Sequence, residues 1–353
     1  MKKLILTVAL LILPRVVSGD FIGIASPTTY GTGPAPQGIF ALGQTDDLTY
    51  EASDLNRSFI DGYAARCTWQ HLDSGTADNT PVYDWTYIDN LFTTAATYGK
   101  KVTIYVWTAE PPAHVFVAHN GQAVDTYQPY ISGAYRTCPV PWDQVALEDL
   151  ARFYYDLANH QVSGTAVKNR PELVGVRTDF LGLKGLRDTD QIMVNDPAYS
   201  RSTFISAVLQ SIHASVDVFN ANTPIMLEVH NMYDATSDPR LDTATLSAIL
   251  GEFGNRVTVF TENWNSVNPT GQTLTNHQQM MAGGSRSGYQ AVGVFGTLSD
   301  ANAAWNYGMS VGRPRYLEVY HSDITNTEIQ PEFARWQWIV KTWTEAGAIY
   351  GVQ

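Results

Sequence analysis

The stretch Ile88-Asp-Asn-Leu-Phe-Thr-Thr-Ala-Ala-Thr-Tyr-Gly99-Lys-Lys-Val-Thr-Ile-Tyr-Val-Trp107 holds one complete helix-then-strand unit, and it sets the reading of the whole chain. Ile88, Leu91, Phe92 and Ala95 fall at i, i+3, i+4 and i+7, one face of an α-helix. Gly99 is a helix stop, because glycine takes the left-handed backbone of a helix C-terminus without a steric penalty. Val102 to Trp107 is then a β-branched and aromatic run of strand length. The rhythm recurs along the chain. Further helical stripes are Leu147, Leu150, Tyr154 and Leu157; Ile205, Val208, Leu209, Ile212 and Val216; and Leu246, Ile249, Leu250 and Phe253. A last helix is predicted near Pro331, carrying Phe333, Trp336 and Ile339. Strands are predicted at 21–25, 64–69, 102–107, 173–178, 225–230, 257–262, 291–295 and 316–320.

Eight strands alternating with helices predict an α/β fold, a single-domain (β/α)8 TIM barrel over residues 20–353 with no composition break. An open doubly wound sheet is the competing architecture. The strand ends favour the barrel. Thr68, Trp69, Trp107, Asp179, His230, Glu262, Trp264 and Tyr320 lie at or just past C-terminal strand ends, which a barrel gathers on one rim. Pro111 to Pro141 is predicted as a rim insertion after the third strand.

The 353 residues are 44% hydrophobic and 16% charged, a globular composition. With 22 Lys and Arg against 34 Asp and Glu, the chain lacks the basic footprint that binds phosphate backbones, so no nucleic acid partner is expected. Aromatic residues make up 12%, more than a core needs, and suit a neutral ligand. Lys2 and Lys3, the apolar run from Leu4 to Leu13, and Val17-Ser-Gly19 have the pattern of a secretory signal peptide over residues 1–19. A retained anchor is the alternative. That run is too short to cross a bilayer comfortably and no other stretch is long and apolar enough. The expectation is a secreted or periplasmic protein with no membrane span after cleavage. Cys67 and Cys138 either pair, as export would permit, or are two buried thiols. CxxC, HExxH, GxSxG, P-loop and GxGxxG patterns are absent, so neither a metal nor an organic cofactor is expected.

Several segments resemble a known family. Arg66-Cys-Thr-Trp69, Tyr83-Asp-Trp-Thr-Tyr-Ile-Asp89, Gly99 to Trp107 and Pro111-Pro112 look like the second-to-third-strand region of retaining glycosidases of the large (β/α)8 clan, notably beta-galactosidase-like members. Pro139-Val-Pro-Trp-Asp143 looks like a helix entry of bacterial glycosidase-like barrels, and Tyr316-Leu-Glu-Val-Tyr320 with Asp323 looks like their ending. The matches cover roughly half the chain. The resemblance implies glycoside hydrolysis by two carboxylates; with the leader pattern, the expectation is a secreted glycoside hydrolase acting on a poly- or oligosaccharide through paired carboxylates at the C-terminal rim of the barrel. The resemblance also implies a Glu at the end of strand four and another at the end of strand seven. This chain departs at both. Neither Val174 to Asp188 nor Ala291 to Asp300 contains a Glu. A catalytically inactive barrel that binds carbohydrate is therefore the alternative, and the site must be argued from its own residues.

Four carboxylates are candidates for catalysis. Glu262 lies in Val257-Thr-Val-Phe-Thr-Glu-Asn-Trp264, where strict alternation places Thr258, Phe260, Glu262 and Trp264 on one face. With Asn263 and Trp264 it would make a sugar subsite; otherwise it is a rim carboxylate bonded to a loop. Glu318 sits between Leu317 and Val319. Desolvation forbids it the helix side, so it should face the barrel interior and find Arg66 or Arg177. Glu228 and His230 share a face, either as base and orienter or as a buried polar network. Asp179 ends strand four, where the resemblance implies the acid, but it is shorter than Glu. Arg66, by the resemblance, supports the nucleophile. Trp69, Trp107, Trp264 and Tyr320 are candidate stacking surfaces for a sugar. Trp142 and Trp336 are expected to pack helices on the barrel.

Overall fold

The computed structural model describes residues 36–342, apart from 44–47, 79, 120, 132–133, 184–194, 231, 233, 235–239, 267–270, 283–285 and 312–313. The expected leader at 1–19 and the expected strand at 21–25 lie outside the described residues. The barrel strands are β1 (Gly38–Leu42), β2 (Gly62–Thr68), β3 (Lys101–Trp107), β4 (Leu173–Thr178), β5 (Ile225–Glu228), β6 (Val257–Trp264), β7 (Arg286–Ala291) and β8 (Tyr316–Val319). They close in the order β1-β8-β7-β6-β5-β4-β3-β2, and all neighbours are parallel. This is the expected α/β (β/α)8 architecture.

The main helices are α1 (Thr86–Tyr98), α2 (Gln144–Asn159), α3 (Arg201–Val216), α4 (Leu241–Phe253), α5 (Gly271–Ala282), α6 (Leu298–Val311) and α7 (Gln330–Thr342). The apolar stripes are what holds them on the barrel. Ile88, Leu91, Phe92 and Ala95 of α1 are all buried, and Gly99 closes the helix with φ of 64°. Asp143 caps α2 by accepting from the Ala146 amide at 2.9 Å. Among the described residues between β1 and β2, the helix is the four-residue Ala52–Leu55.

Two strand positions correct the sequence reading. The first barrel strand is Gly38–Leu42, not 21–25. Five residues after a Gly- and Pro-rich run give little periodic signal. The seventh is Arg286–Ala291, not 291–295. Val292 and Val294 alternate like a strand, but they stand 48% and 56% exposed in the loop beyond it. The true strand lacks an apolar stripe because its inward positions are Gly288, which makes room for aromatic rings, and Gln290, which faces the polar layer. Cys67 and Cys138 are both free and buried, with thiols directed at the carbonyls of Tyr105 and Ala109.

The barrel interior has two layers. Phe40, Leu42, Ala64, Met226, Phe260 and Tyr316 form an apolar cluster inside the sheet. Two residues further along the same strands the inward side chains become polar: Arg66 above Ala64, Glu228 above Met226, Glu262 above Phe260 and Glu318 above Tyr316. Gly288 leaves room for the rings, since a Cβ there would lie 2.9 Å from Phe260 and 3.1 Å from Tyr316.

Candidate active site

Arg177, the last inward residue of β4, organises the upper layer. Its Nη2 donates to Glu228 Oε2 and to Glu262 Oε1, the latter at 2.6 Å. Its Nη1 lies 3.4 Å from Gln290 Oε1. The guanidinium sits 3.8 Å from the Tyr105 ring centre and 4.6 Å from that of Phe260. Arg177 is only 2% exposed. Burial would lower its pKa, but Glu228 and Glu262 outweigh that and hold it well above the usual value. The cluster is therefore an ion network between two carboxylates and one cation, roofed and floored by aromatic faces.

Glu228 has a second neighbour. His230 Nε2 lies 2.9 Å from Glu228 Oε1. The His230 carbonyl accepts from Asn276 Nδ2 at 2.8 Å, and the same amide nitrogen donates to Asp242 at 2.9 Å. Asp179 is fully buried and accepts from the Tyr105 hydroxyl at 3.2 Å.

Glu318 is a different kind of carboxyl. It is 3% exposed, and its Oε1 accepts from the Tyr316 hydroxyl at 2.6 Å. Its Oε2 is buried and has no hydrogen-bond partner among the described residues. Burial pushes its pKa up to about 7, against the lowering pull of Arg177, the Tyr316 hydrogen bond and Arg66. A carboxyl with one tethered oxygen and a pKa near neutrality can hold a proton and give it up at working pH. Both expected cations act on Glu318, but the hydrogen bond comes from Tyr316. Arg66 is half-buried and bonds Tyr320, which is itself half-buried just past β8.

The aromatic candidates divide. Trp107 is inward-facing at the end of β3, and the Arg136 guanidinium of the rim insertion lies 5.8 Å from its ring. Arg136 is in turn paired with Glu110, which also accepts from Gln70 at 2.7 Å. The insertion is tied down by Tyr127, whose hydroxyl donates to the Gly182 carbonyl at 2.7 Å. Trp69 and Trp264 are not at the site. Trp69 is fully buried outside the sheet against Phe153 and His114. Trp264 is fully buried among Tyr289, Phe295 and Trp336, and its Nε1 donates to the Ala304 carbonyl at 2.8 Å. Trp69 is the first residue of the short helix Trp69–Leu72 that follows β2; for Trp264 the physical reason is a bulge. β6 spends three residues from Thr261 to Trp264 where β7 spends two from Tyr289 to Ala291. Glu262 stays inside and Trp264 turns out. The side chain of Asn263, inside that bulge, lies outside the described residues.

Tyr105, Tyr316, Thr103 and Gln290 were not among the sequence candidates. Inward alternation on β3 signals Thr103 and Tyr105. Gln290 was hidden by the misplaced seventh strand; it lies in register with Glu318. A cavity of about 480 Å³ opens at the opposite, N-terminal end of the barrel, lined by Gln37, Asp61, Lys101 and Lys341, and holds none of the candidate carboxylates.

No protein-family model matches the chain, and no curated protein matches it in sequence. Among solved structures it is similar to the endo-beta-1,4-mannanase from Thermotoga petrophila, with TM-score 0.55 and 9% identity over 88% of this chain and 78% of that one. It is also similar to the catalytic domain of beta-amylase from Paenibacillus polymyxa, with TM-score 0.54 and 9% identity over 87% of this chain and 99% of that one. Both are glycoside hydrolases. At such identity the likeness is one of fold: a closed parallel barrel shared with polysaccharide-degrading enzymes.

Proposed function

We propose that the protein is a secreted or periplasmic glycoside hydrolase that acts on a poly- or oligosaccharide, with Glu318 as proton donor and Glu262 as the ionised partner. The observation that carries the reading is the contrast between carboxyls in one buried layer. Glu318 is pushed towards its protonated form, while Glu262 and Glu228 are ion-paired with Arg177. Environments that separate carboxyls in this way are how acid and base roles are assigned. Glu318 Oε2 gives its proton to the leaving glycosidic oxygen. Glu262 attacks the anomeric carbon or activates a water. Glu228 and His230 support the network, and Asp179 with Tyr105 frames it. Arg66, Trp107 and Tyr320 surround the sugar. Export rests on the leader pattern at residues 1–19.

Residues 20–353 assayed on aryl glycosides and on plant, algal and microbial glycans test the reading. Turnover is expected, falling by about 10²–10⁴ in Glu318→Gln on substrates with poor leaving groups. Glu262→Gln is expected to fall at least as far. No turnover across the panel overturns it. A second reading, carbohydrate binding without cleavage, is favoured by Arg177 and Gln290 standing on β4 and β7, where the resemblance implies glutamates. Glycan-array binding by a protein that cleaves nothing would establish that reading instead.

A further inference from the structure

Tyr316 spans both interior layers. Its ring is fixed in the apolar one, 4.7 Å from Phe40 and 6.0 Å from Phe260 between ring centres. Its hydroxyl reaches the polar one, where it bonds Glu318 Oε1 and lies 2.7 Å from Thr103 Oγ1. The chain Thr103–Tyr316–Glu318 thus crosses the barrel from β3 to β8. All three members are buried, at 3%, 0% and 3% exposure. A tyrosine has one hydroxyl proton. If that proton goes to Oε1, the threonine proton goes to Tyr316, and each donor has a single destination.

We propose that Tyr316 and Thr103 are positioning residues that keep Oε1 of Glu318 an acceptor and so leave the acid proton on Oε2. The proposal rests on Glu318 being the proton donor of the reading above. It adds which oxygen carries the proton and what holds it there. Tyr316 suits the task because burial and the neighbouring Glu318 hold its own pKa well above the usual tyrosine value, so it stays a donor. The charged and titratable groups that bear on Glu318 are Arg177 from β4, Arg66 from β2, Glu262 from β6, and Tyr316 and Tyr320 from its own segment. Arg177 and Arg66 favour its ionised form and Glu262 opposes it. Removing the Tyr316 donor therefore shifts the balance towards the protonated form, because that hydrogen bond favours the carboxylate.

The test reads the titration of Glu318 directly, from its carboxyl carbon shift in residues 20–353 labelled with ¹³C-glutamate, the signal being identified by its loss in Glu318→Gln. In Tyr316→Phe the midpoint is expected to rise by about one pH unit, a tenfold change in proton affinity. In Thr103→Val a smaller rise is expected, because Tyr316 becomes a weaker donor when nothing donates to it. The alkaline limb of the pH–rate profile should move with the midpoint in each variant. An unchanged midpoint in the folded variants overturns the proposal, and Thr103→Val decides the question if Tyr316→Phe does not fold. Because the titration needs no turnover, the two readings fail separately. A moved midpoint with no glycan cleavage upholds the hydrogen-bond chain and overturns the hydrolase. Cleavage with an unmoved midpoint does the reverse.

Discussion

The two layers of the barrel interior are built by the same strands, two residues apart, yet they are held by opposite means. In the lower layer Phe40, Met226 and Phe260 gain by leaving water, and nothing there carries charge. In the upper layer Arg177, Glu228, Glu262 and Glu318 have each lost their hydration and are held by ion pairs and hydrogen bonds among themselves and with His230, Gln290 and Tyr316. Stability from the first layer is indifferent to pH. The contribution of the second depends on protonation states. The contrast also teaches where function sits, since a costly polar layer at the C-terminal rim of a barrel is where chemistry is placed in this fold.

The largest expected effect comes from breaking the upper layer at its centre. Arg177→Met leaves Glu228 and Glu262 buried without their cation and should cost about 3–5 kcal/mol near neutral pH. Chemical denaturation should recover part of that loss at mildly acidic pH, where the orphaned carboxylates take up protons. A deficit that stays constant with pH would break the comparison. Phe40→Ala in the lower layer should cost a similar or slightly smaller amount, about 3 kcal/mol, by the same measurement. Its deficit should be flat with pH, and a pH-dependent one would show that the layers are not separable. The smallest effect sharpens the upper layer itself. Glu318 has a raised folded pKa, so the folded state holds its proton longer than the unfolded chain does. Its contribution falls as pH rises from the ordinary glutamate range through about 7. Glu318→Gln should therefore remove a downward slope in stability across that window while changing little at pH 4.

Most of the barrel was legible because its signals are local. The stripes of α1 to α4 and the strands β2 to β6 and β8 follow from periodicity, since each helix or strand must bury one face. What was not legible depends on neighbours. β7 reads as a polar loop until β6 and β8 stand beside it, because Gly288 and Gln290 are chosen for the interior and not for a hydrophobic face. Glu228, Glu262 and Glu318 were legible as inward carboxylates from alternation alone. Arg66 and Arg177 were legible as cations for Glu318, and His230 as the neighbour of Glu228, but the pairing of Arg177 with Glu228 and Glu262 was not. Arg177 lies 51 residues from Glu228 and 85 from Glu262, and only closure of the sheet brings them together. Tyr316 was legible as inward, but the reach of its hydroxyl to Thr103, 213 residues away, is a property of the closed barrel.

The bulge in β6 changes how this strand should be compared with others. One inserted position reverses the inside-outside parity of everything after it, so an alignment that counts alternate residues from Val257 runs out of phase by Trp264. The same reversal lets adjoining positions answer to separate demands. Glu262 is free to vary with chemistry inside the barrel, while Trp264 is constrained by the helices outside it. A designer who deleted that single position would turn the indole towards the axis and lose the shell contact in one step, without altering any side chain's identity.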